Sequence, residues 1–238
     1  MRKKTDSAQA LQLVPFFTQL PPSEIEELAS RLVVRQFSSG QIIFHHGDPG
    51  GLLYMITKGK VKITHSNPEG HEALLAILGQ GDFFGELALL DDSPRSATAE
   101  AITQTEALTL HREDFIRYIK ENPDFSLHVL HTLAQHIRRL NNQISDIFFL
   151  DLPARLARVL LQLAEQHGKP IDKKGSIRIE ISLTQTDLAE MTGATRVSIN
   201  KALGRFRRNG WVQVNGRKFT ITDRDALLQL IQISGGSI

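Results

Sequence analysis

Short alternating apolar stretches follow one another from Arg31 to His111, and they restrict the fold of this 238-residue chain more than any other feature. Lys60–Thr64 and Ala101–Leu110 are two examples, and turn-forming residues such as Gly47-Asp48-Pro49-Gly50 separate them. Alternation with a period of two indicates β-strands, and many short strands favour a double-sheet jelly roll or a barrel. The expected core residues are Val33, Ile43, Leu53, Met55, Val61, Ile63, Leu74 and Ile77.

A different pattern begins at Gly85, which lacks a Cβ and lets a backbone N–H approach a ligand closely. A short helical turn from Leu87 would direct further free N–H groups to the same position. Arg95 can hold an anion with two hydrogen bonds, and Ser96 adds a hydroxyl. Glu86 would repel an anion, so it suits another task, such as accepting from a ribose hydroxyl. The combination predicts a nucleotide pocket, although a strand, a turn and an Arg–Glu ion pair would use the same residues.

Apolar residues after Asn122 recur every three or four positions instead of every two. The repeat comprises Leu130, Leu133, Ile137, Leu140, Ile144 and Ile147. Spacings of alternately three and four residues are typical of a coiled-coil seam. We expect a long helix over residues 124–150 that joins two copies of the chain as a parallel homodimer. A helix packed on its own domain is the alternative, because fewer than four heptads are present.

A domain boundary is predicted at Asp151-Leu152-Pro153, because proline disfavours helical geometry in the residue before it. The apolar spacing changes after Asn122, and this change and the boundary at Asp151 divide the chain into three regions. Residues 1–123 form the β-rich effector domain, residues 124–150 form the dimerisation helix, and residues 151–238 form a C-terminal domain.

The C-terminal domain contains the spacing of a helix-turn-helix. Thr184 and Asp187 are placed as in a capping box, which predicts a helix from Gln185. Gly193 breaks that helix, and Thr195 can cap a second one. Two short helices joined by a glycine turn are typical of a helix-turn-helix. The expected packing contacts between them are Leu188, Ile199 and Leu203.

A β-hairpin is predicted after the second helix, with Asn215-Gly216 as a type I′ turn between two apolar-alternating runs. A hairpin in this position makes the domain a winged helix. The predicted phosphate contacts are Arg205, Arg207, Arg208, Arg217 and Lys218. A solvent-exposed basic surface without a partner is the alternative.

The charge distribution favours a polyanionic partner at one end of the chain. Residues 151–238 contain 14 Lys+Arg and 8 Asp+Glu, a net charge of +6. The whole chain carries +2, so residues 1–150 carry −4. The absence of cysteine excludes disulfides, thiol nucleophiles and thiolate-bound iron–sulfur clusters. No apolar run reaches about 18 residues, so we expect no membrane-spanning helix.

Residues 84–99 resemble the phosphate-binding cassette of the cyclic-AMP receptor protein and fumarate–nitrate regulator superfamily of bacterial transcription factors. The matching motifs are Gly85-Glu86-Leu87 and Arg95-Ser96-Ala97. The resemblance implies that Glu86 binds the ribose 2′-hydroxyl and that Arg95 and Ser96 bind the cyclic phosphate. Cyclic AMP is the expected effector.

The resemblance extends over nearly the whole chain. It implies an α+β protein with an N-terminal double-stranded β-helix (jelly roll), a long dimerisation helix and a C-terminal winged helix-turn-helix. The nucleotide would lie between β-roll and helix, with Leu140 and Asn141 at the positions that contact the purine. Asn141 can contact a base edge through its amide, whereas Leu140 lacks the usual hydroxyl. A regulator of the same build without an effector, or with another ligand, is therefore an alternative.

Base contacts are expected from the first turns of the second helix. Arg196 and Lys201 match basic positions that contact guanine or phosphate in relatives. Val197 replaces a common glutamate that accepts from cytosine, so it should favour a thymine methyl and alter the pseudo-palindromic site. The full predicted DNA-contacting set is Thr184, Gln185, Thr195, Arg196, Val197, Ser198, Asn200, Lys201, Arg217 and Lys218.

The resemblance implies a cytoplasmic protein that contacts RNA polymerase, with the loop His167–Ser176 as a candidate surface. A metal-dependent cupin enzyme is an alternative of another class, because cupins are jelly rolls and His45-His46 and His71-Glu72 lie in the β region. Adjacent strand residues point to opposite faces, so His45 and His46 cannot share a metal on a regular strand. We therefore expect no metal and no enzymatic activity.

Overall fold

The computed structural model describes residues 22–67, 69–70, 72–172 and 175–235. The chain divides into two units, residues 1–135 and 136–238. Among the residues that the structure describes, no helix combines the length and the apolar character needed to cross a membrane.

Two four-stranded antiparallel sheets build the first unit, with strand orders β1-β8-β3-β6 and β2-β7-β4-β5. This is the predicted double-sheet arrangement, and it reflects the many short strands separated by turn residues. The strands are β1 (Val33–Phe37), β2 (Ile42–Phe44), β3 (Leu52–Lys58), β4 (Val61–Ser66), β5 (Glu72–Leu78), β6 (Phe83–Phe84), β7 (Thr98–Ala101) and β8 (Thr105–His111).

The central strand β3 is buried on both faces because its alternate side chains enter two different apolar clusters. Tyr54 and Ile56 pack with residues of both sheets, including Val61 and Ala99. Leu53 and Met55 belong to a second cluster, which contains side chains of the helices of this unit. A fully buried aliphatic side chain contributes about 1.5–3 kcal/mol, so β3 is a main source of stability for the unit.

Helices cover the outer face of the first sheet. They are α1 (Pro22–Arg31), α2 (Leu87–Leu90), α3 (Arg112–Glu121) and the beginning of α4 (Pro123–Phe149). Phe115 and Phe125 are buried in the second cluster, where their rings meet edge-on at 5.9 Å. The long helix expected over residues 124–150 corresponds to α4.

Val33 was predicted as a core residue, and that prediction is wrong. Its side chain is 51% exposed, whereas Leu53, Met55, Val61, Leu74 and Ile77 are buried. The reason lies in the sheet, because β1 is an edge strand that pairs only with β8 in the strand order. Alternation in sequence cannot distinguish an edge strand from a central one.

The second unit contains the helices α5 to α8, of which α5 contacts the other three, and a small sheet of order β11-β12-β10-β9. Its elements are α5 (Leu152–His167), β9 (Gly168–Pro170), β10 (Ile177–Ile179), α6 (Gln185–Thr192), α7 (Arg196–Arg208), β11 (Val212–Asn215), β12 (Lys218–Ile221) and α8 (Arg224–Ser234). Part of the predicted loop His167–Ser176 is the strand β9, since Gly168–Pro170 pairs with β10. A Gly-Lys-Pro segment has little strand propensity of its own, so this strand depends on its partner.

The predicted hairpin is present, but its turn is displaced by one residue. Asn215 pairs with Lys218, which places Gly216 and Arg217 at the centre of the turn. Gly216 has a φ of +61°, whereas neither Asn215 nor Arg217 has a positive φ. A type I′ turn requires positive φ at both central residues, so the predicted turn type at Asn215-Gly216 is wrong.

Candidate functional site

The glycine of the predicted anion site leaves room for an arginine. Gly85 follows β6 and has a φ of +85°, a left-handed conformation that glycine adopts without strain. A Cβ at this position would lie 2.5 Å from Nη1 of Arg95 and 3.2 Å from the carbonyl oxygen of Leu52. Gly85 therefore allows the guanidinium to pass close to the backbone, as well as giving the turn its conformation.

Arg95 is the most unusual charged residue of the first unit, because only 4% of it is exposed. Its Nη1 donates to the carbonyl oxygen of Gly85 and its Nη2 to that of Leu52, both at 2.8 Å. Its Cζ lies 4.2 Å from the centre of the Phe44 ring and 5.7 Å from that of Tyr54. Two carbonyl dipoles and two aromatic rings thus stabilise this cation inside the domain.

The aromatic rings around Arg95 form a contiguous group. Tyr54 stacks on Phe84 with ring centres 5.1 Å apart, and Phe44 lies 5.6 Å from Tyr54 and 5.8 Å from Phe84. We call Phe44, Tyr54 and Phe84 the aromatic group. Because the three rings pack against each other, Phe44 and Tyr54 are held in position beside the guanidinium.

The guanidinium retains binding capacity after these contacts. Its Nε is buried and has no hydrogen-bond partner. Burial also lowers the pKa of Arg95, and the charges of nearby groups offset this shift only in part. A buried donor without an acceptor is costly, and an anionic acceptor would remove that cost. The site is therefore suited to an anion.

Glu86 supplies the buried carboxylate of the same segment. It is 6% exposed, and burial raises the pKa of its carboxyl group, while a backbone hydrogen bond and the charge of Arg95 act in the opposite direction. Its carbonyl oxygen accepts from the backbone N–H groups of Leu89 and Leu90, which starts α2. The predicted helical turn from Leu87 is present, and Leu87 itself is 45% exposed.

The segment after α2 is held by the β2–β3 loop. Arg95 donates its backbone N–H to the carbonyl oxygen of Asp48 at 2.8 Å, and Gly47 donates to that of Arg95 at 2.9 Å. Ser96 is exposed, so its hydroxyl is accessible to a ligand. The sequence indicated Gly85, Glu86, Arg95 and Ser96, but it gave no signal for the aromatic group, because aromatic residues in an alternating strand are ordinarily core.

The predicted seam residues of α4 differ in their surroundings. Leu130, Ile137, Leu140, Ile144 and Ile147 are between 49% and 60% exposed. Leu133 is half-buried and packs against the second apolar cluster of the first unit. Asn141 is exposed and, with Leu140, lies in the second unit. Purine contact by these two residues stays a prediction.

The helix-turn-helix is present with the predicted caps. The Thr184 hydroxyl accepts from Asp187 N at 3.0 Å, and Thr184 N donates to the Asp187 carboxylate at 2.6 Å, which completes the capping box. Gly193 ends α6 with a φ of +62°. Thr195 accepts from Ser198 N at 3.2 Å and caps α7.

The second helix has one buried face and one exposed polar face. Ile199, Ala202, Leu203 and Phe206 are buried against the rest of the unit. Arg196, Asn200 and Lys201 are exposed, as are Arg217 and Lys218 of the hairpin. Val197 is 67% exposed, which leaves an apolar side chain in solvent on a polar face. Gln185 is half-buried at the start of α6.

Two protein-family models match the chain, and each covers one of the two regions described above. A cyclic nucleotide-binding domain matches residues 34–122, and a Crp-like helix-turn-helix domain matches residues 154–230. The fold and these two sites define a DNA-binding transcription regulator with a cyclic nucleotide-binding domain.

Relatives of known function identify the family of this chain. The chain is 39% identical to the CRP-like cAMP-activated global transcriptional regulator of Mycobacterium tuberculosis over 89% of this chain and 93% of that protein. It is 31% identical to the cyclic AMP receptor protein of Thermus thermophilus over 90% and 94%. The protein belongs to the CRP family of transcription regulators.

Solved structures agree with the fold. A CooA variant from Carboxydothermus hydrogenoformans superposes with a TM-score of 0.75 at 25% identity, over 92% of this chain and 95% of that one. The c-di-GMP responsive global regulator CLP of Xanthomonas campestris superposes with a TM-score of 0.72 at 21% identity, over 84% and 99%.

The cupin-enzyme alternative is wrong, because the family and its relatives are transcription regulators. His46 packs edge-on against His65 with ring centres 4.8 Å apart. Within the described residues, no group of three or more His, Cys, Asp or Glu side chains could hold a metal ion. His71 lies outside the described residues.

Proposed function

We propose that this protein is a homodimeric transcription regulator whose DNA binding is controlled by cyclic AMP. The observation that carries the effector proposal is the buried guanidinium of Arg95, whose Nε has no acceptor. A cyclic phosphate supplies that acceptor, Ser96 offers a hydroxyl, and the buried Glu86 can accept from a ribose hydroxyl. The names of two relatives, from Mycobacterium tuberculosis and Thermus thermophilus, also refer to cyclic AMP, and they describe those proteins.

Calorimetric titration with cyclic AMP and cyclic GMP tests the effector. We expect the wild type to bind cyclic AMP and Arg95→Ala to lose about 100-fold or more in affinity, because it removes charge-assisted hydrogen bonds worth about 1.5–3 kcal/mol each. Arg35→Ala removes an exposed arginine of β1 and is the matched control. Thermal unfolding of each variant separates lost binding from lost folding.

The role of Glu86 can be tested through the ligand. We expect the wild type to prefer cyclic AMP over its 2′-deoxy analogue, because the analogue cannot donate to the carboxylate. Glu86→Ala should bind the two ligands equally. Equal binding of both ligands by the wild type would mean that Glu86 does not bind the ribose 2′-hydroxyl. It would leave the proposed phosphate contact of Arg95 unchanged.

A regulator without a nucleotide, or with a different ligand, remains the second candidate. Leu140 favours it, because an apolar side chain occupies a position where relatives place a hydroxyl. The CLP regulator of Xanthomonas campestris has the same fold and responds, by its description, to c-di-GMP. No heat from cyclic AMP or cyclic GMP, together with tight DNA binding, would support this candidate.

The homodimer proposal rests on the exposed seam of α4. All the predicted seam residues except Leu133 are about half or more exposed, and apolar side chains at heptad spacing with that exposure favour burial against a second copy of the helix. We expect Ile137→Glu to sediment as a monomer and the wild type as a dimer in analytical ultracentrifugation. Asn142→Glu adds the same charge to an exposed position off the seam, so it should remain dimeric.

DNA recognition is proposed for the exposed face of α7 and for the hairpin. In a dimer, two such helices can enter successive major grooves about 34 Å apart. A nucleotide controls this only if it binds one dimer arrangement more tightly than the other. Selection from a random duplex library should return a half-site that differs from the family's usual one at the Val197 contact. Val197→Glu should restore a preference for cytosine there.

A cytoplasmic location and an RNA polymerase contact are part of this proposal. Both rest on the family resemblance. The segment His167–Ser176, which includes β9, is the candidate contact surface, and part of it lies outside the described residues.

A further inference from the structure

Gly204 occupies the middle of α7 without a structural reason in the folded chain. Glycine is the least favourable residue after proline in a helix interior. Its φ is not positive, unlike that of Gly193 or Gly210. A Cβ built at Gly204 would meet only Nη1 of Arg208, at an ordinary contact distance of 3.6 Å. Alanine would therefore fit this position and would favour the helix.

The position of Gly204 on the helix suggests what the missing side chain permits. The buried face of α7 consists of Ile199, Ala202, Leu203 and Phe206. At 100° per residue, Gly204 lies on the opposite face, in line with Val197, Lys201 and Arg208. Gly204 is seven residues after Val197, which is about 10 Å along the helix axis. It therefore continues the proposed DNA-facing surface towards the C-terminal end of the helix.

A recess lies at this point of the surface. It is an open depression of about 390 Å³, lined by Gly204, Arg207 and Arg208. We call these three residues the Gly204 recess. Both arginines are exposed, so their guanidinium groups are available to a ligand. A surface with no side chain at its centre and two cations at its edge suits a compact anion.

Basic residues in the last turn of a helix also complement the helix dipole. That effect explains why arginines are favourable at positions 205, 207 and 208. It does not explain Gly204, which weakens the same helix. An anion that approaches the helix backbone explains both features.

We propose that the Gly204 recess binds a phosphodiester group of the DNA backbone, so that the phosphate contacts predicted for Arg207 and Arg208 meet at one site on the helix. The inference rests on the proposed DNA-binding mode of α7. The missing side chain lets the phosphate approach the helix, and Arg207 and Arg208 neutralise it. Because phosphate contacts carry no sequence information, the recess adds affinity and positions the helix in the groove without changing base preference.

The first test uses a random-sequence 40-base-pair duplex and fluorescence anisotropy at several salt concentrations. Gly204→Ala should lower the affinity several-fold, and Gly204→Leu by about tenfold or more, because larger side chains hold the phosphate further away. Gly204→Ala should unfold at the same temperature as the wild type or higher. It therefore remains informative even if Gly204→Leu folds poorly.

The salt dependence identifies the ligand group. Arg207→Ala or Arg208→Ala should reduce the slope of log K against log salt by up to about 1.8 in a dimer, since the recess holds one phosphate per protomer and each phosphate contact contributes about 0.9. Arg224→Ala removes an exposed arginine that is ion-paired with Glu165 at 3.3 Å, and it is the charge-matched control. In the Gly204→Leu background, the arginine substitutions should have little further effect.

The outcomes separate the recess from the wider proposal. A wild type that binds no duplex would overturn the DNA-binding mode and the recess together. Wild-type binding with unchanged affinity and slope in Gly204→Leu would overturn the recess alone. A loss in Gly204→Leu that depends on base sequence and leaves the salt slope unchanged would also overturn it, because it would identify a base contact.

Discussion

The arginines that are proposed to bind phosphate in the two units differ in their exposure to solvent. Arg95 of the first unit is 4% exposed and is held by two carbonyl oxygens and the aromatic group. Arg196, Arg207 and Arg208 of the second unit are exposed to solvent. Both regions are suited to phosphate, but they achieve this by different physical means.

The difference reflects what each region has to recognise. A buried cation has already lost its hydration, so a bound phosphate meets donors in a low-dielectric site whose geometry is fixed. Exposed cations keep their hydration and bind a polyanion by releasing the counterions condensed on it. The first arrangement favours selection of one small ligand, and the second favours long-range attraction to any duplex.

The sharpest test of this comparison is salt. Between 50 and 200 mM salt, we expect duplex affinity to fall by about 10³-fold, as for a protein with six or more phosphate contacts. Nucleotide affinity should change much less over the same range, because buried pairs are only weakly screened. Anisotropy with the duplex and calorimetry with cyclic AMP give the two slopes. Equal slopes of log affinity against log salt for the duplex and for cyclic AMP would contradict the proposed difference between the two regions.

Replacing arginine by lysine should separate the regions next most clearly. Arg95→Lys should lose about 100-fold in nucleotide affinity, because an ammonium group cannot bond both carbonyl oxygens, stack on Phe44 and still hold a phosphate. Arg208→Lys should lose only a few-fold in duplex affinity, since an exposed phosphate contact mainly needs the charge. Equal losses in both variants would contradict this assignment.

Most of this organisation could be predicted from the sequence. The turn residues between short strands indicated the double-sheet domain, and the capping residues Thr184 and Thr195 marked the helix-turn-helix. These predictions succeeded because caps and turns are local, and their physical causes lie within a few residues. The sequence also pointed to Gly85 and Arg95, and the structure brings them together, with Nη1 of Arg95 2.8 Å from the carbonyl oxygen of Gly85. Anion binding by this pair stays a prediction.

Apart from the local misplacement of the turn at Asn215-Gly216, the errors and omissions have long-range causes. The exposure of Val33 depends on which strand lies beside β1, and β9 exists only through pairing with β10. The contact of Phe44 with Arg95 joins residues 51 positions apart. None of these relations is encoded in a local pattern, so hydrophobic alternation and propensity could not find them.

The aromatic group gives a smaller expected effect. Phe44→Leu removes the ring that lies 4.2 Å from Cζ of Arg95. A cation–π contact in a desolvated site is worth about 2 kcal/mol, so a guanidinium that loses this orientation should bind the nucleotide up to about 30-fold more weakly. Phe37→Leu is the matched control, because Phe37 packs on Tyr54 in the same apolar cluster. Duplex binding at low salt should be unchanged in both variants if the units bind phosphate independently.

The smallest expected effect concerns the carboxylate beside the buried cation. Burial raises the pKa of Glu86 in the folded state above its ordinary value, so the folded state binds protons more tightly than the unfolded state. The stability contribution of this group is therefore fully present below the ordinary carboxyl pKa and is lost as pH rises through the raised value. Glu86→Gln cannot ionise and escapes this loss.

Urea unfolding of the nucleotide-free protein from pH 4 to pH 8 measures the difference. Glu86→Gln should match the wild type at low pH and become the more stable protein as pH rises. Glu72→Gln, at an exposed position of β5, controls for the loss of one negative charge. A wild type that gains stability over Glu86→Gln with rising pH would mean that attraction between Glu86 and Arg95 outweighs the desolvation of the carboxylate. The first unit would then hold a preformed ion pair, and its contrast with the solvated arginines of the second unit would be correspondingly weaker.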